Sequence, residues 1–262
     1  MDKIYFPPRK DNRNLDVKAL ETKNNQKKME KYISSSAPSF SSASSTKVFL
    51  QWKEDENFLL KETKSFYLLL GKRIVDILIS LTVIVFVLSW LFPIISLIIL
   101  LDSRGPILFI QARTGYKGVT FPCLKFRTMY NVKQHEFKQT SFNDHRVTRV
   151  GRFLRRTNLD ELPQFFNVLF GNMSIVGPRP HAVQHDAYHW ASVPYRNRYC
   201  IKPGITGLAQ IRGARGETDK SQKMEHRVRY DLFYVKRQSF GLDMAVFFWT
   251  ISTMIKGDKN AW

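Results

Sequence analysis

The sequence predicts an α+β protein that is mainly helical, has a few short strands and is held in a membrane. Three observations lead to this class. The stretch Ile77–Leu101 contains 25 residues without a charge, which exceeds the roughly 20 needed to cross a bilayer as a helix. After it, apolar residues recur at helical spacing in several segments. Two short runs rich in strand-forming residues also flank a turn at Gly115–Gly118.

The first 57 residues are predicted to form a disordered, low-complexity extension. Ser34–Ser45 has eight serines in twelve positions, a composition with too little apolar surface to fold. A short strand is predicted at Val48–Trp52. The first 30 residues contain no apolar core, so we expect no signal peptide.

Residues 66–104 are predicted to form a membrane segment of the helix-break-helix type. The simpler alternative is one straight transmembrane helix. Pro93 argues against it, because proline removes a backbone hydrogen bond and bends a helix. Both flanks are also basic, with Lys72 and Arg73 before the segment and Arg104 after it, and basic residues favour the cytoplasmic side. A re-entrant helix with its membrane kink at Pro93 satisfies both flanks.

Residues 105–262 are predicted to form the globular domain. Its strands are predicted at Ile107–Ile110 and Phe121–Phe126, and a loop at Asn131–Asp144. Its helices are predicted at Arg149–Arg156, Leu162–Phe170, His181–Trp190, Glu225–Lys236 and Asp243–Ile255. The last of these is rich in Phe, Trp and Met, so it suits either an amphipathic helix in the membrane interface or an ordinary core helix.

The net charge of +19 and the pI near 10.0 predict a polyanionic partner, either nucleic acid or an anionic bilayer. The long uncharged segment favours anionic membrane lipid, and no nucleic-acid partner is expected. Cys123 and Cys200 fit neither a disulfide framework nor a metal site, which indicates a reducing compartment. His181, His185 and His189 share one helical face, but a fourth ligand is not apparent, so a zinc site is disfavoured.

Asp160 and Glu161 are adjacent acids within a run of basic residues. Pro163 is tolerated in a first helical turn, so we expect a helix that begins near Asn158–Asp160, where both residues cap well. For an isolated pair of acids, an exposed cap that makes surface ion pairs would be the preferred interpretation.

The surroundings of the acidic pair favour a phosphate site instead. A carboxylate can attack phosphorus, while its neighbour holds Mg²⁺ or moves a proton. Arg155, Arg156 and Arg179 can balance phosphate charge with bidentate geometry.

A series of short motifs connects the membrane segment to this site. In chain order they are Lys72-Arg73-Ile74-Val75-Asp76, Gly105-Pro106-Ile107-Leu108-Phe109, Lys125-Phe126-Arg127-Thr128-Met129, Leu159-Asp160-Glu161-Leu162-Pro163-Gln164, Asn167-Val168-Leu169, Met173-Ser174, Val176-Gly177-Pro178-Arg179-Pro180 and Lys202-Pro203-Gly204-Ile205-Thr206-Gly207. Over about residues 66–262 the chain resembles the bacterial sugar transferase family, the monotopic phosphoglycosyl transferases that begin lipid-linked glycan assembly.

The resemblance implies an activity and a set of site residues. It implies that Asp160 and Glu161 are the catalytic dyad with bound Mg²⁺, and that both ends of the re-entrant helix are cytoplasmic. In this family the Asp attacks the sugar-bearing phosphate of a UDP-sugar, UMP leaves, and polyprenyl (undecaprenyl) phosphate then takes the phosphosugar. Arg179 and Arg155 map onto substrate phosphate-binding arginines, and the resemblance makes Lys125 and Arg127 further candidates.

The resemblance also indicates a branch and a location. The branch is indicated by His181-Ala182-Val183 and Arg215–Asp219, which resemble enzymes that transfer the 1-phosphate of a hexose, glucose or galactose. The resemblance also implies a location at the cytoplasmic face of the bacterial inner membrane. A homo-oligomer is compatible with the sequence, and the choice of sugar and the polyprenyl length stay open.

Two features depart from the family pattern. Phe92 precedes Pro93 where many members have Ser, and the multi-helix N-terminal half of the large hexose enzymes has no counterpart. Two rival functions are a membrane-bound phosphohydrolase that uses the same dyad and a non-catalytic module that binds anionic lipid or nucleic acid.

Overall fold

The computed structural model describes residues 67–130, 140, 144–190, 192–214, 216 and 221–256. The predicted extension of residues 1–57, with its strand at Val48–Trp52, lies outside the described residues, as does most of the loop predicted at Asn131–Asp144. Within the described part the chain is mainly helical with four short strands, which confirms the predicted mixed class.

The elements follow one another in a simple order. After a π-helical turn at Tyr67–Gly71, the α-helices are α1 (Lys72–Val83), α2 (Ser89–Asp102), α3 (Arg149–Thr157), α4 (Gln164–Leu169), α5 (Val183–His189), α6 (Val193–Arg196), α7 (Leu208–Ile211), α8 (Ser221–Arg237) and α9 (Phe240–Lys256). The strands are β1 (Leu108–Thr114), β2 (Thr120–Phe126), β3 (Ser174–Val176) and β4 (Gly204–Thr206). The predicted strands and the helices around 150, 165, 185, 230 and 250 are therefore present, with shifted ends.

Helices α1 and α2 form one continuous helix of 31 residues, Lys72–Asp102, joined by a π-helical turn at Ile84–Leu88. We call it the long helix. It is the one helix among the described residues that is long and apolar enough to cross a membrane. Most of its surface is exposed, because only 22% of its most apolar stretch is buried.

The π-helical turn lies just before Pro93, which has no N–H to give to the preceding turn. Side chains supply donors here. The Ser89 hydroxyl donates to the Val85 carbonyl at 2.6 Å, and Trp90 Nε1 donates to the Phe86 carbonyl at 2.8 Å.

The N-terminal end of the long helix is bound to the globular part by polar contacts. The Arg73 guanidinium donates to the carbonyls of Val168 at 2.6 Å and Leu169 at 2.9 Å, the last residues of α4. The Asp76 carboxylate accepts from the Ser174 hydroxyl at 3.0 Å and from the Ile175 amide at 2.9 Å. These bonds connect α1 with α4 and β3.

The C-terminal end of the long helix contacts the same globular unit. Arg127, the residue after β2, donates through Nη2 to the Ser103 carbonyl at 2.5 Å and to the Ile99 carbonyl at 3.3 Å. Ile99 is buried with Phe126 and Leu154 in one apolar cluster. Both ends of the long helix therefore pack on one body.

A second apolar cluster forms the main core beneath β3, β4, α8 and α9. Its buried members are Phe121, Cys123, Val168, Met173, Ile175, Val176, Leu208, Tyr234 and Val246. Helix α9 contributes fully buried Val246 to this cluster while Phe248 and Trp249 on the same helix are exposed. The core-helix interpretation is therefore confirmed for one side of α9, and the interfacial interpretation stays a prediction for its exposed aromatic side.

Strands β1 and β2 pair antiparallel, with Leu108 opposite Phe126 and Thr114 opposite Thr120. Strands β3 and β4 pair in parallel. Gly177, just after β3, and Gly204, the first residue of β4, lie so close together that neither has room for a side chain. A side-chain carbon on Gly204 would lie 2.1 Å from the Gly177 nitrogen. This contact fixes the Gly-Pro-Arg-Pro turn that follows β3.

The α-helix predicted to begin near Asn158–Asp160 begins instead at Gln164. Asn158 adopts a left-handed conformation (φ 57°) that ends α3, and Leu159–Glu161 form a 3₁₀ turn without a side-chain cap. The physical reason is that asparagine tolerates this conformation. The acidic pair therefore lies on a tight turn between two helices, and Asp160 is not engaged in capping.

Candidate active site

The acidic pair on the 3₁₀ turn is buried. Asp160 is 8% exposed and Glu161 is 7% exposed, so the alternative of an exposed capping pair is wrong. Lys125, near the end of β2, and Arg179, in the turn after β3, reach the pair from two other parts of the chain.

Glu161 is bound through both of its carboxylate oxygens. Lys125 Nζ lies 2.6 Å from Oε1, and Arg179 Nη1 donates to Oε2 at 2.9 Å. Arg179 Nη2 donates to Oε1 as well. A bidentate arginine and a lysine on one carboxylate form a strong, directional arrangement, so Glu161 is held firmly in one orientation.

Asp160 differs from its neighbour, because its carboxylate makes no hydrogen bond or ion pair with the residues that the structure describes. Burial raises the pKa of Asp160 above its ordinary value of 3.8, and the positive charge of Lys125 opposes this effect. Arg155 and Arg179 also favour the ionised form, while Glu161 disfavours it. The site thus combines one immobilised carboxylate with one whose oxygens are unengaged by these residues.

Arg155, at the end of α3, completes the group of cations around the pair. Its Nε donates to the Thr128 hydroxyl at 2.9 Å, which aligns the guanidinium beside the turn. Burial lowers the pKa of Arg155, while the charges of Asp160 and Glu161 raise it. Lys125, Arg155 and Arg179 give the site three cations for two carboxylates, an excess of positive charge that suits phosphate oxygens.

Arg127 has a different position from the other predicted phosphate ligands. It is 5% exposed, and its hydrogen bonds go to the Ile99 and Ser103 carbonyls and the Ser103 hydroxyl at the end of the long helix. The structure therefore brings Lys125, Arg155 and Arg179 to the dyad and places Arg127 at the junction with the long helix. Pro93 lies within α2, away from the dyad in sequence, and its role as a membrane kink stays a prediction.

Two arginines that support the site were missed by sequence reasoning. Arg113 of β1 donates through Nη1 to the Pro180 carbonyl at 2.8 Å, and its charge lowers the pKa of Lys125. Arg198 donates through Nη2 to the Arg179 carbonyl at 2.9 Å. Both bind the backbone of the turn that carries Arg179.

Arg198 is the most deeply buried of these cations, with 0% exposure. It forms an ion pair with Asp231 of α8 at 2.6 Å and lies over the rings of Tyr195 and Tyr199. Tyr195 and Tyr199, which lie on either side of Arg198 in the sequence, are the pattern that could have indicated a buried guanidinium.

The histidine face is connected to this network. Donor atoms of His181, His185 and Asp186 lie within 4.8 Å of one another. However, His181 Nδ1 lies 2.9 Å from Arg198 Nη1, and burial together with Arg198 and Arg227 holds the pKa of His181 well below its usual range. Two guanidinium neighbours oppose a bound cation, so zinc remains disfavoured.

Comparison with known proteins adds an independent observation. The family model described as bacterial sugar transferase matches residues 67–257. A UDP-glucose:undecaprenyl-phosphate glucose-1-phosphate transferase of Klebsiella pneumoniae is 49% identical over 183 residues, which are 69% of this chain and 39% of that protein. The chain thus spans about two fifths of the length of this relative, and 39% of a like-named Escherichia coli protein.

Other relatives are closer to this chain in length. A protein of the same name from Caulobacter vibrioides is 42% identical over 192 residues, 72% of each chain. The exopolysaccharide production protein PSS of Rhizobium leguminosarum bv. phaseoli is 43% identical over 195 residues, 72% of this chain and 97% of that protein.

Proposed function

The chain belongs to the bacterial sugar transferase family, and we propose that it transfers a sugar 1-phosphate from a UDP-sugar to undecaprenyl phosphate, releasing UMP. The names of the Klebsiella and Caulobacter relatives support a hexose donor, with UDP-glucose as the first choice. The product, a sugar joined to the lipid through a diphosphate, would start a lipid-linked glycan such as an exopolysaccharide, capsule or O-antigen unit.

The observation that carries this proposal is the division of roles within the buried acidic pair. Glu161 is fixed by Lys125 and Arg179, whereas Asp160 is bonded to none of the described residues. A nucleophile requires an unengaged oxygen, and its neighbours must already be placed for the charge that develops. Asp160 meets the first condition, and the cations that surround it meet the second.

In the first step, one Asp160 oxygen attacks the phosphorus that bears the sugar. A bond forms between this oxygen and phosphorus, and the bond from phosphorus to the bridging oxygen of the diphosphate breaks. That oxygen departs with the electron pair as part of UMP. Arg155 and Arg179 lie where they can stabilise the phosphoryl oxygens, since arginine binds such groups in a bidentate way.

In the second step, an oxygen of undecaprenyl phosphate attacks the same phosphorus. The bond from phosphorus to Asp160 breaks, and the carboxylate is regenerated. The two displacements leave Asp160 unchanged and conserve the phosphate on the sugar. Glu161 holds Lys125 and Arg179 beside Asp160 before the donor binds.

The residues of the dyad fit magnesium, which prefers carboxylate oxygens. Asp160 can offer an oxygen directly, whereas Glu161 would have to release Lys125 or Arg179 from one of its oxygens. We propose that Asp160 and Glu161 hold Mg²⁺ together with the donor phosphates. When bound, the ion would neutralise charge on the transferred phosphate.

We propose further that the long helix is re-entrant and that the globular unit lies on the cytoplasmic face of the inner membrane. Both ends of the helix bind the same globular unit. Its middle carries exposed apolar side chains, including Phe86 at 72% and Trp90 at 55%, which are stable in lipid and not in water. The aromatic residues of α9 suit contact with the same membrane surface.

The activity is tested with a panel of UDP-sugars, undecaprenyl phosphate and the purified full chain, with UMP and labelled lipid as readouts. We expect UDP-hexoses to give both products and Asp160→Asn to reduce turnover at least about a thousandfold. Release of free sugar phosphate without the acceptor would instead indicate a phosphohydrolase. Full function of the Asp160→Asn protein would indicate a non-catalytic binding module.

A further inference from the structure

Two cations meet outside the candidate active site, at the other end of α4. Gly171 follows this helix in a left-handed conformation (φ 87°). A side-chain carbon built on Gly171 would lie 3.5 Å from Arg73 Nη2 and 3.7 Å from Lys202 Nζ. Both charged groups therefore face the space that the missing side chain of Gly171 leaves open.

The two groups keep unused donors toward this space. Arg73 gives two of its N–H groups to the Val168 and Leu169 carbonyls, which fixes the guanidinium, and arginine has five such donors. Lys202 makes no hydrogen bond or ion pair with the residues described in the structure. Burial, and then the charge of Arg73, lowers the pKa of Lys202.

Charge balance at this position favours an anion. Two like charges near one another repel, and partial burial increases the repulsion. Asp76 is the acid whose charge raises the pKa of Lys202, so one carboxylate opposes two cations here. An external anion between Arg73 and Lys202 would offset the repulsion.

The surroundings of the pair are apolar on the side of the long helix. Ile74 and Leu78, on the first turns of α1, are 53% and 59% exposed, and Phe170 beside Gly171 is 70% exposed. A cationic pair at the edge of an exposed apolar surface matches the boundary between acyl chains and phosphates in a bilayer.

We propose that Arg73 and Lys202 bind the phosphate of an anionic phospholipid headgroup where the long helix enters the membrane. The inference rests on the membrane placement proposed above. It adds a specific contact between this pair of cations and a lipid headgroup. It is independent of the sugar donor, because the dyad lies at the opposite end of α4.

The experiment is a titration of the purified full chain in detergent with short-chain phosphatidylglycerol, followed by native mass spectrometry. Short-chain phosphatidylcholine, inorganic phosphate and undecaprenyl phosphate serve as competitors. The variants are Lys202→Gln, Lys202→Arg and the matched control Lys236→Gln, which removes an exposed cation at the end of α8. The fold of each variant is checked by its melting temperature.

We expect the protein to prefer phosphatidylglycerol over phosphatidylcholine, and Lys202→Gln to weaken this binding about fivefold, the effect of one cation near a lipid surface. Lys202→Arg should restore it, and Lys236→Gln should leave it unchanged. Equal losses in Lys202→Gln and Lys236→Gln, or no loss in either, would overturn the assignment.

Two competition results would also overturn the assignment to a phospholipid. Displacement by inorganic phosphate at the same concentration would indicate a free-anion site, and preferential displacement by undecaprenyl phosphate would indicate an acceptor site. Lipid binding is measured without a sugar donor. Lipid binding can therefore fail while UMP release succeeds, and UMP release can fail while lipid binding succeeds. The two proposals are therefore tested separately.

Discussion

At the scale of single residues, the adjacent acids Asp160 and Glu161 share a turn and a degree of burial but not a role. Glu161 satisfies its charge internally, with Lys125 and Arg179 on its two oxygens. Asp160 is buried without such bonds from the described residues, so its ionised form lowers the stability of the fold. Buried carboxylates of this kind are typical of functional sites.

This difference predicts opposite effects of two isosteric substitutions on stability. Glu161→Gln should destabilise the protein by roughly 3 kcal/mol, because Lys125 and Arg179 lose their buried counter-charge. Asp160→Asn should leave the stability at pH 7 unchanged or higher. The raised pKa of Asp160 means that the folded protein favours the uncharged form, so its ionised form weakens folding above the ordinary pKa.

The measurement is thermal unfolding of both variants in the same detergent. The interpretation of the dyad would be contradicted if Asp160→Asn lost as much stability as Glu161→Gln. Such a result would mean that Asp160 is a structural ion-pair partner rather than an unengaged nucleophile.

The pH dependence of the first step is a second prediction for Asp160. The carboxylate must be ionised to attack, and burial raises its pKa above 3.8. The rate of UMP release with the donor alone should therefore fall as the pH decreases, with a midpoint above 3.8. Single-turnover kinetics with far-UV circular dichroism as a folding control measures this limb. A midpoint at or below the ordinary value would contradict the effect of burial.

Much of the residue-level site was predictable, because the dyad and Arg155 lie within a few positions of one another. Arg179 was named with Arg155 from the residues and the resemblance added Lys125, but the sequence could not show that Lys125 and Arg179 both bind Glu161 while no described residue bonds to the Asp160 carboxylate. Lys125 is 36 positions from Glu161, so this pairing depends on how β2 packs on the turn. Arg127 shares a motif with Lys125 but lies just beyond the end of β2, and its guanidinium binds the carbonyls of Ile99 and Ser103 at the end of the long helix.

At the scale of secondary-structure elements, the long helix decides how the protein meets the membrane. Its length and apolar composition were evident in the sequence. The contacts of Arg73 and Ser103 with one globular unit were not, because they involve residues far along the chain. The 3₁₀ turn at Leu159–Glu161 was also not predicted, because the spacing of apolar residues carries no information on the left-handed backbone conformation of Asn158.

Cysteine labelling in sealed membranes tests the re-entrant arrangement. Leu70→Cys and Arg104→Cys lie at the two ends of the membrane segment, and the natural cysteines Cys123 and Cys200 are buried. We expect a membrane-impermeant maleimide to label both new cysteines in inside-out vesicles and neither in intact spheroplasts.

The control is Phe86→Cys in the exposed apolar middle of the helix, which should resist the reagent in both preparations. Labelling of one end from each side would instead demonstrate a straight transmembrane helix. The two ends of the helix would then lie on opposite sides of the membrane. A globular unit on one side could not contact both of them.

Another prediction concerns the contact between α8 and the 3₁₀ turn Asn197–Cys200. Arg198→Ala should destabilise the protein by roughly 3 to 5 kcal/mol, because it leaves the charge of Asp231 buried beside fewer cations. Chemical unfolding of Arg198→Ala, with Lys236→Gln as the exposed control, measures the loss. An effect as small as that of the control would contradict a structural role for the buried ion pair.

At the scale of the whole molecule, the proposed activity combines a phosphate site with attachment to the membrane. The basic residues lie partly in buried networks, as Arg198 does with Asp231, and partly on the exposed surface, as Lys236 does. Composition alone therefore predicted an anionic partner without locating it. The order of the motifs along the chain indicated the family, and the structure places several motif residues at the candidate site or at the long helix, among them Lys125, Arg179 and Arg73.

The most direct test of the account is the intact mass of the protein after incubation with the sugar donor and no acceptor. We predict that the active full chain becomes heavier by one sugar phosphate, that peptide mapping places the addition on Asp160, and that undecaprenyl phosphate removes it. A fully active protein whose mass stays unmodified throughout turnover would contradict the covalent mechanism.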